Sequence, residues 1–316
     1  MSEQSSVAFV FPGQGAQAAG MGYDLYNSFL SAKKVFDQAD DALGFSISSL
    51  CFNGPEDELN LTINTQPAML TMSIACMEVI REVVGDSFPS PAFYAGHSLG
   101  EYTALVVSGV LDFSTAVNLA RQRGRLMHEA GLEKPGGMMA VLGLEEDILA
   151  KVCDETGTCI ANYNCPGQLV ISGGIEKLMA AMELAHEKGA SRTISLQVSG
   201  AFHSPLMKSA QEGLIDIVDK LEFHDPAVPI IANVTAKPIT TGEQVKTELI
   251  DQLCNGVQWQ RSIEYMRNKG ISACIEIGQG KVLTGLIKRI DKNITTNNIG
   301  NIGDIEKLQP ERQDEE

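Results

Sequence analysis

Four short apolar runs near the two ends of the chain stand out from their polar surroundings: Val7–Phe11, 92–95, 228–234 and Ala273–Ile277. They do not alternate, and the last three follow turn or breaker signals, so they read as parallel strands buried on both faces. Helical patterns separate the first two runs, including a helix predicted over 69–84. Strand, crossover and strand imply an α/β core. The middle of the chain has a different rhythm. From Gly136 the pattern predicts a strand (138–142), a helix (Glu146–Thr156), two strands (158–163 and 168–172), a helix (177–188) and a strand (192–198). This βαββαβ order is that of a ferredoxin-like unit. The expected organisation is a small subdomain, 133–199, inserted into a discontinuous core formed by 1–132 and 200–308, with a disordered acidic tail at 309–316.

Composition narrows the function classes. At 316 residues the chain can bury a substantial core. The first apolar run is five residues long without a basic leader, and no stretch approaches the roughly 18 apolar residues of a membrane span, so a soluble protein is expected. A formal charge of −16 argues against broad attraction to nucleic acid or anionic membranes. The seven cysteines form no CxxC pair and have no histidine cluster at zinc spacing. They read as reduced thiols of a cytoplasmic protein.

Against this background the sequence GHSLG (96–100) acquires meaning. It matches the G-x-S-x-G nucleophile elbow, a tight turn between strand and helix that projects a serine. The run at 92–95 leads into Gly96, and 99–107 has helix-compatible composition ending at Gly109. A helix N-terminus beside Ser98 would favour an oxyanion there. A glycine-rich turn with an incidental serine is the competing reading. A serine needs a positioned base, and five histidines are available. His128 and His186 sit in polar helical stretches, His224 lies in a loop, and His97 adjoins the serine on a turn whose neighbouring side chains diverge. His203, preceding the cap-like Ser204 and Pro205, is the best candidate, since a helix N-terminus would hold its imidazole neutral. A structural loop histidine is the alternative, and no carboxylate partner is assignable from sequence.

Eight segments in order resemble one family, the malonyl-CoA:acyl carrier protein transacylases of fatty acid and polyketide synthesis. They are FPGQGAQ (11–17), TQPA (65–68), GHSLGEY (96–102), RGRLM (123–127), NCPGQ (164–168), AFHSPLM (201–207), VQW (257–259) and GKVLTGLIKRI (280–290). The resemblance spans nearly the whole chain and implies a hydrolase-like α/β core with a short parallel sheet plus the ferredoxin-like α+β insert. It implies that Ser98 is acylated, that His203 is the base, that the main-chain carbonyl of Gln252 orients it, and that the N–H groups of Gln14 and Leu99 form the oxyanion hole. No metal or organic cofactor is implied.

In the same resemblance Arg123 binds the malonyl carboxylate, a role suited to a guanidinium fork. Arg121, Arg123 and Arg125 could instead form a solvated face, but a spacing of two turns neighbours about 200° apart on a helix, so at least one must point inward or sideways. Phe202 resembles the residue of malonyl-selective members that exclude a methyl branch. Gln66, Asn162, Asn164 and Asn233 fall in matching motifs as pocket-lining or structural groups. Gln279 departs from the proline common in the family, which affects the local turn. An acidic carrier protein would dock on a basic site, for which Lys281, Lys288 and Arg289 are candidates. A thioesterase or acyl hydrolase on the same scaffold is the alternative function, and a carboxylate clamp at Arg123 argues against it.

Overall fold

The structure is a computed structural model that describes residues 6–308. The tail expected at 309–316 lies outside the described residues. In chain order the strands are β1 (Val7–Phe11), β2 (Phe93–Gly96), β3 (Gly136–Leu142), β4 (Cys159–Cys165), β5 (Gln168–Gly174), β6 (Arg192–Ser195), β7 (Ile230–Ile231), β8 (Pro238–Ile239), β9 (Ala273–Ile277) and β10 (Thr295–Ile299). They form two sheets.

The larger sheet runs β10-β9-β1-β2-β7-β8 and is parallel except for the β7–β8 hairpin. Side chains of the central β1 alternate between two cores. Phe9 and Phe11 pack with Tyr94, Leu99 and Tyr102 on one face, while Ala8 and Val10 pack with Trp259, Ile263 and Cys274 on the other. Burial on both faces is why the run is apolar without alternation. Phe11 pairs with Gly96, so β1 and β2 end level. The loops that follow them open a crevice at the carboxyl edge of the sheet, where α/β proteins place their ligands.

The smaller sheet, β4-β5-β3-β6, is antiparallel throughout and carries the helices Glu146–Thr156 and Ile175–Glu187 on one face. With its βαββαβ order this is the ferredoxin-like arrangement. Met139 and Val141 pack with Leu149, Val152 and Leu178 under those helices. Met138 and Ala140, one residue out of phase, face the main core and line the crevice. Thus the crevice lies between the two sheets.

Some boundaries differ from expectation for identifiable reasons. The helix predicted from residue 69 starts at Thr62 and contains Pro67. Proline cannot donate to the carbonyl four residues back, and here Arg121 Nη1 donates to that carbonyl, Ile63 O, at 3.2 Å. The strand predicted over 228–234 pairs only at Ile230–Ile231. The chain leaves the ladder at Ala232, and the Asn233 N–H turns to Glu101. The strand predicted to residue 198 ends at Ser195, and 196–198 line the crevice instead. Gln279 sits in a turn between Gly278 (φ 130°) and Gly280 (φ 87°), so glycine rather than a proline shapes it.

Candidate active site

Ser98 sits between β2 and the helix Gly100–Val107 with φ 51°, the left-handed region that costs a non-glycine residue roughly 1–2 kcal/mol. Its neighbours explain the two glycines of the motif. A Cβ on Gly96 would lie 1.9 Å from the Gly100 carbonyl carbon, and one on Gly100 would lie 2.0 Å from Phe11 O. Hydrogen bonds from distant residues hold the strained turn. Ser98 N–H donates to Asn233 Oδ1 at 2.7 Å, and Gln252 Nε2 donates to Ser98 O at 3.1 Å.

His203 also has positive φ, 56°, and precedes a short helical turn capped by Ser204, whose Oγ accepts from Leu206 N–H. Its Nε2 is 2.8 Å from Ser98 Oγ and its Nδ1 is 2.8 Å from Gln252 O. Gln252 is the last residue of the helix Gly242–Gln252, so its carbonyl has no intrahelical donor. A carbonyl only accepts, so Nδ1 carries the hydrogen and Nε2 is left to take the serine proton. Of the other histidines, His186 and His224 are exposed and His128 is half-buried. His97 Nε2 pairs with Asn164 Oδ1 at 2.9 Å, turned away from the serine's partner.

Burial first, and the Arg123 guanidinium second, pull the His203 imidazole down to about 3. The helix terminus credited by the sequence reading is therefore not the main cause. An unfolded histidine takes up its proton below about pH 6.5, whereas this one stays neutral in the folded chain to much lower pH. Its contribution to stability is complete above pH 6.5 and is lost as pH falls below that value. Base competence should persist with it: kcat/KM for the acyl donor is expected to stay level from about pH 8 to pH 5. A pH–rate profile with an acid limb near 6.5 would contradict this.

Arg123, on the helix Phe113–Glu133, is 1 % exposed. Nη1 donates to Gln66 Oε1 at 2.8 Å; Nη2 donates to Gln252 Oε1 at 2.7 Å and to Ser98 Oγ at 3.1 Å. Nε has no partner among the described residues, and the guanidinium lies 5.2 Å from the centre of the Tyr102 ring. No acid is within ion-pair distance of it among the described residues, so the buried cation beside Ser98 lacks a direct counter-ion. The adjacent arginines diverge as helical geometry requires. Arg121 stacks on Phe45 at 4.4 Å, and Arg125 pairs with Glu129 at 2.7 Å in solvent.

A crevice of about 450 Å³ runs over this cluster, and its lining includes Gln14, Gln66, Ser98, Leu99, Arg123 and His203. At the start of the helix after the serine, Gly100, Glu101 and Tyr102 N–H donate to carbonyls three residues back. Ser98 N–H is taken by Asn233, so Leu99 N–H is the group left at that edge. Gln14 is anchored there by Thr62 Oγ1, which donates to its Oε1 at 2.7 Å. Phe202, Asn162 and Asn164 also line the crevice, and Asn162 Oδ1 is buried without a partner among the described residues. Asn233 lies behind the serine and does not line it. The expected docking residues Lys281, Lys288 and Arg289 are all exposed, and Arg289 also donates to Gln168 Oε1 and Pro166 O.

Two buried acids behind Ser98 were not singled out from sequence. Glu101, 0 % exposed, accepts from Asn233 N and Nδ2 (2.9 Å each) and from Gln252 Nε2. Burial, and then Glu248, push its carboxyl well above the usual carboxylate range. Glu248 accepts from Val234 N at 2.8 Å, and burial pushes it up to about 7. An acid in the first helical turn ordinarily reads as a surface partner of the helix dipole, which hid Glu101.

The cluster therefore brings together a serine hydroxyl, a neutral imidazole, the Leu99 N–H and a buried guanidinium around one crevice. Known proteins agree. The acyl transferase domain profile matches residues 8–314. The malonyl CoA-acyl carrier protein transacylase of Bacillus subtilis is 47 % identical over 297 residues, covering 92 % of each chain. An acyl carrier protein S-malonyltransferase from Vibrio cholerae superposes with a TM-score of 0.92 at 39 % identity, covering 96 % of this chain and 100 % of that one. A malonyl-transacylase solved in complex with a type II polyketide acyl-carrier protein gives 0.91 at 38 % identity, covering 96 % and 98 %. From its sequence, its two-sheet architecture and the groups gathered around Ser98, this chain belongs to the malonyl-CoA:acyl carrier protein transacylase family of acyl transferases.

Proposed function

We propose that the chain transfers a malonyl group from malonyl-CoA to the phosphopantetheine thiol of an acyl carrier protein, through a malonyl ester on Ser98. The observation that carries this reading is the buried Arg123 guanidinium 3.1 Å from the nucleophile. In a malonyl ester the free carboxylate is three bonds from Oγ, within reach of Nη1 and Nη2. An acetyl group would leave the buried cation without its counter-ion.

Malonyl-CoA lies in the crevice with its carboxylate on Arg123 and its thioester carbonyl over Ser98. His203 Nε2 takes the hydroxyl proton as Oγ bonds to the carbonyl carbon. The resulting oxyanion is held by the N–H groups of Gln14 and Leu99. Collapse breaks the C–S bond, and the coenzyme A sulfur leaves with the proton from His203. The carrier thiol then enters, gives its proton to the same Nε2 and attacks the ester carbonyl carbon; the bond from that carbon to Ser98 Oγ breaks, and Nε2 returns the proton to Oγ. Gln252 O fixes the tautomer throughout, replacing the carboxylate of the usual triad. Gln66 and Asn162 line the acyl end of the crevice, and Phe202 restricts room beside the acyl carbon.

The catalytic core is assigned to 1–132 with 200–308 and the small subdomain to 133–199. Lys281, Lys288 and Arg289 are the basic groups offered to an acidic carrier, and Arg289 also ties the helix that bears Lys288 to Gln168 and Pro166. Seven unpaired thiols, five of them buried, suit the cytoplasm. The transferase is separated from an acyl hydrolase by its acceptor. Malonyl-CoA alone should release about one equivalent of coenzyme A per chain, with sustained turnover only on addition of holo carrier protein. Free malonate formed at the same rate with and without carrier would overturn the reading.

A further inference from the structure

The two amides behind the site are oriented by groups that can only donate. The Ser98 N–H fixes Asn233 Oδ1, and the Arg123 guanidinium fixes Gln252 Oε1. Each amide must then turn its NH2 away, and both NH2 groups converge on Glu101, joined by the Asn233 main-chain N–H. Among the described residues Glu101 meets three donors and no acceptor in its hydrogen bonds. These donors favour the ionised carboxylate and oppose the upward push of burial and Glu248; a group with one oxygen and one NH2 cannot satisfy all three. The same geometry places Glu101 one amide away from the buried Arg123, in the chain guanidinium to Gln252 to carboxylate. The other acid facing this pocket, Glu248, is held separately by Val234 N–H.

We propose that Glu101 is a positioning residue: through Gln252 it fixes the Arg123 fork for a carboxylate-bearing acyl group, and through Asn233 it holds the Ser98 turn. This deepens the proposed function and rests on it. The key consequence concerns E101Q. The oxygen of the new amide must stay on the Asn233 N–H, because a backbone donor cannot be turned. Its NH2 then faces Gln252, which is forced to rotate and present its own NH2 to Arg123. Two donors face each other, and the clamp loses its anchor while His203 keeps its bond to the Gln252 main chain.

The test compares malonyl-CoA with acetyl-CoA as donor to Ser98, with melting temperatures to verify folding. E101Q is expected to lower the malonyl-to-acetyl ratio of kcat/KM at least tenfold, mainly through a higher KM for malonyl-CoA. Labelling of Ser98 by a neutral serine-directed fluorophosphonate should change less than about threefold. E101D, which keeps the acceptor and loses a methylene, should retain the ratio better than E101Q. If the site needed only packing, E101Q, the closer isostere, would be the better tolerated. Should E101Q not fold, Q252M cuts the same link while preserving the main-chain carbonyl, and it too must lower the ratio tenfold. A ratio unchanged in E101Q or Q252M, or one lowered more in E101D than in E101Q, overturns the proposal. A wild-type chain with no preference for malonyl-CoA overturns the proposed function as well.

Discussion

Replacing Ser98 by alanine is expected to abolish the covalent acyl adduct and to lower transfer on the order of 10⁴-fold or more, because nucleophile, base and oxyanion donors act as a unit. The fold should survive. Ser98 is half-buried, and its positive φ is imposed by Gly96, Gly100 and the bonds from Asn233 and Gln252, none of which needs the hydroxyl. Intact mass after exposure to malonyl-CoA, with a melting curve as control, checks both statements. An adduct of undiminished yield in the alanine variant would place the nucleophile elsewhere.

Replacing Arg123 by alanine should strike selectivity hardest. A charge-assisted hydrogen bond contributes about 1.5–3 kcal/mol, so a bidentate pair is roughly 3–6 kcal/mol, or about 10²–10⁴ in kcat/KM for malonyl-CoA. Acetyl-CoA never makes that pair and should lose far less. Lysine at this position keeps the charge but not the fork that holds Gln66 and Gln252 together. It should fall between arginine and alanine. Steady-state kcat/KM for the two thioesters decides the matter. Parallel losses for both donors would mean that Arg123 serves the fold rather than the acyl carboxylate.

The parts of this molecule that could be read from sequence are those whose physics is local. β1 and β9 are covered on both faces, so their apolar runs mark their ends, and the helix Glu146–Thr156 declares itself by periodicity. The polar edge strand β10, TTNNI, has no such pattern and is a strand only because β9 pairs with it. β7 was overestimated because nothing local says that Asn233 is drawn out of the ladder by an acid 132 positions away. The same division runs through the site. The glycines around Ser98 and the inward turn of one arginine among three follow from backbone sterics and helical geometry. The burial of Glu101 does not, since it depends on Asn233 and on Gln252, the latter 151 positions distant.

Such long-range dependence also sharpens the meaning of the elbow. Ser98 is held from the front by His203 and from behind by Asn233 and Gln252, and Gln252 is shared with the arginine clamp. In the proposed mechanism, nucleophile and selectivity therefore share hydrogen-bonded partners, with Gln252 common to both.

The central claim is that one serine carries malonyl from one thiol to another. The direct measurement is intact-mass spectrometry of the wild-type chain after brief exposure to malonyl-CoA, with peptide mapping, repeated after addition of holo carrier protein. The account predicts a single malonyl adduct on Ser98 that disappears as malonyl-carrier appears in equal amount. Malonyl-carrier formed without any adduct, or an adduct that the carrier cannot discharge, would contradict it.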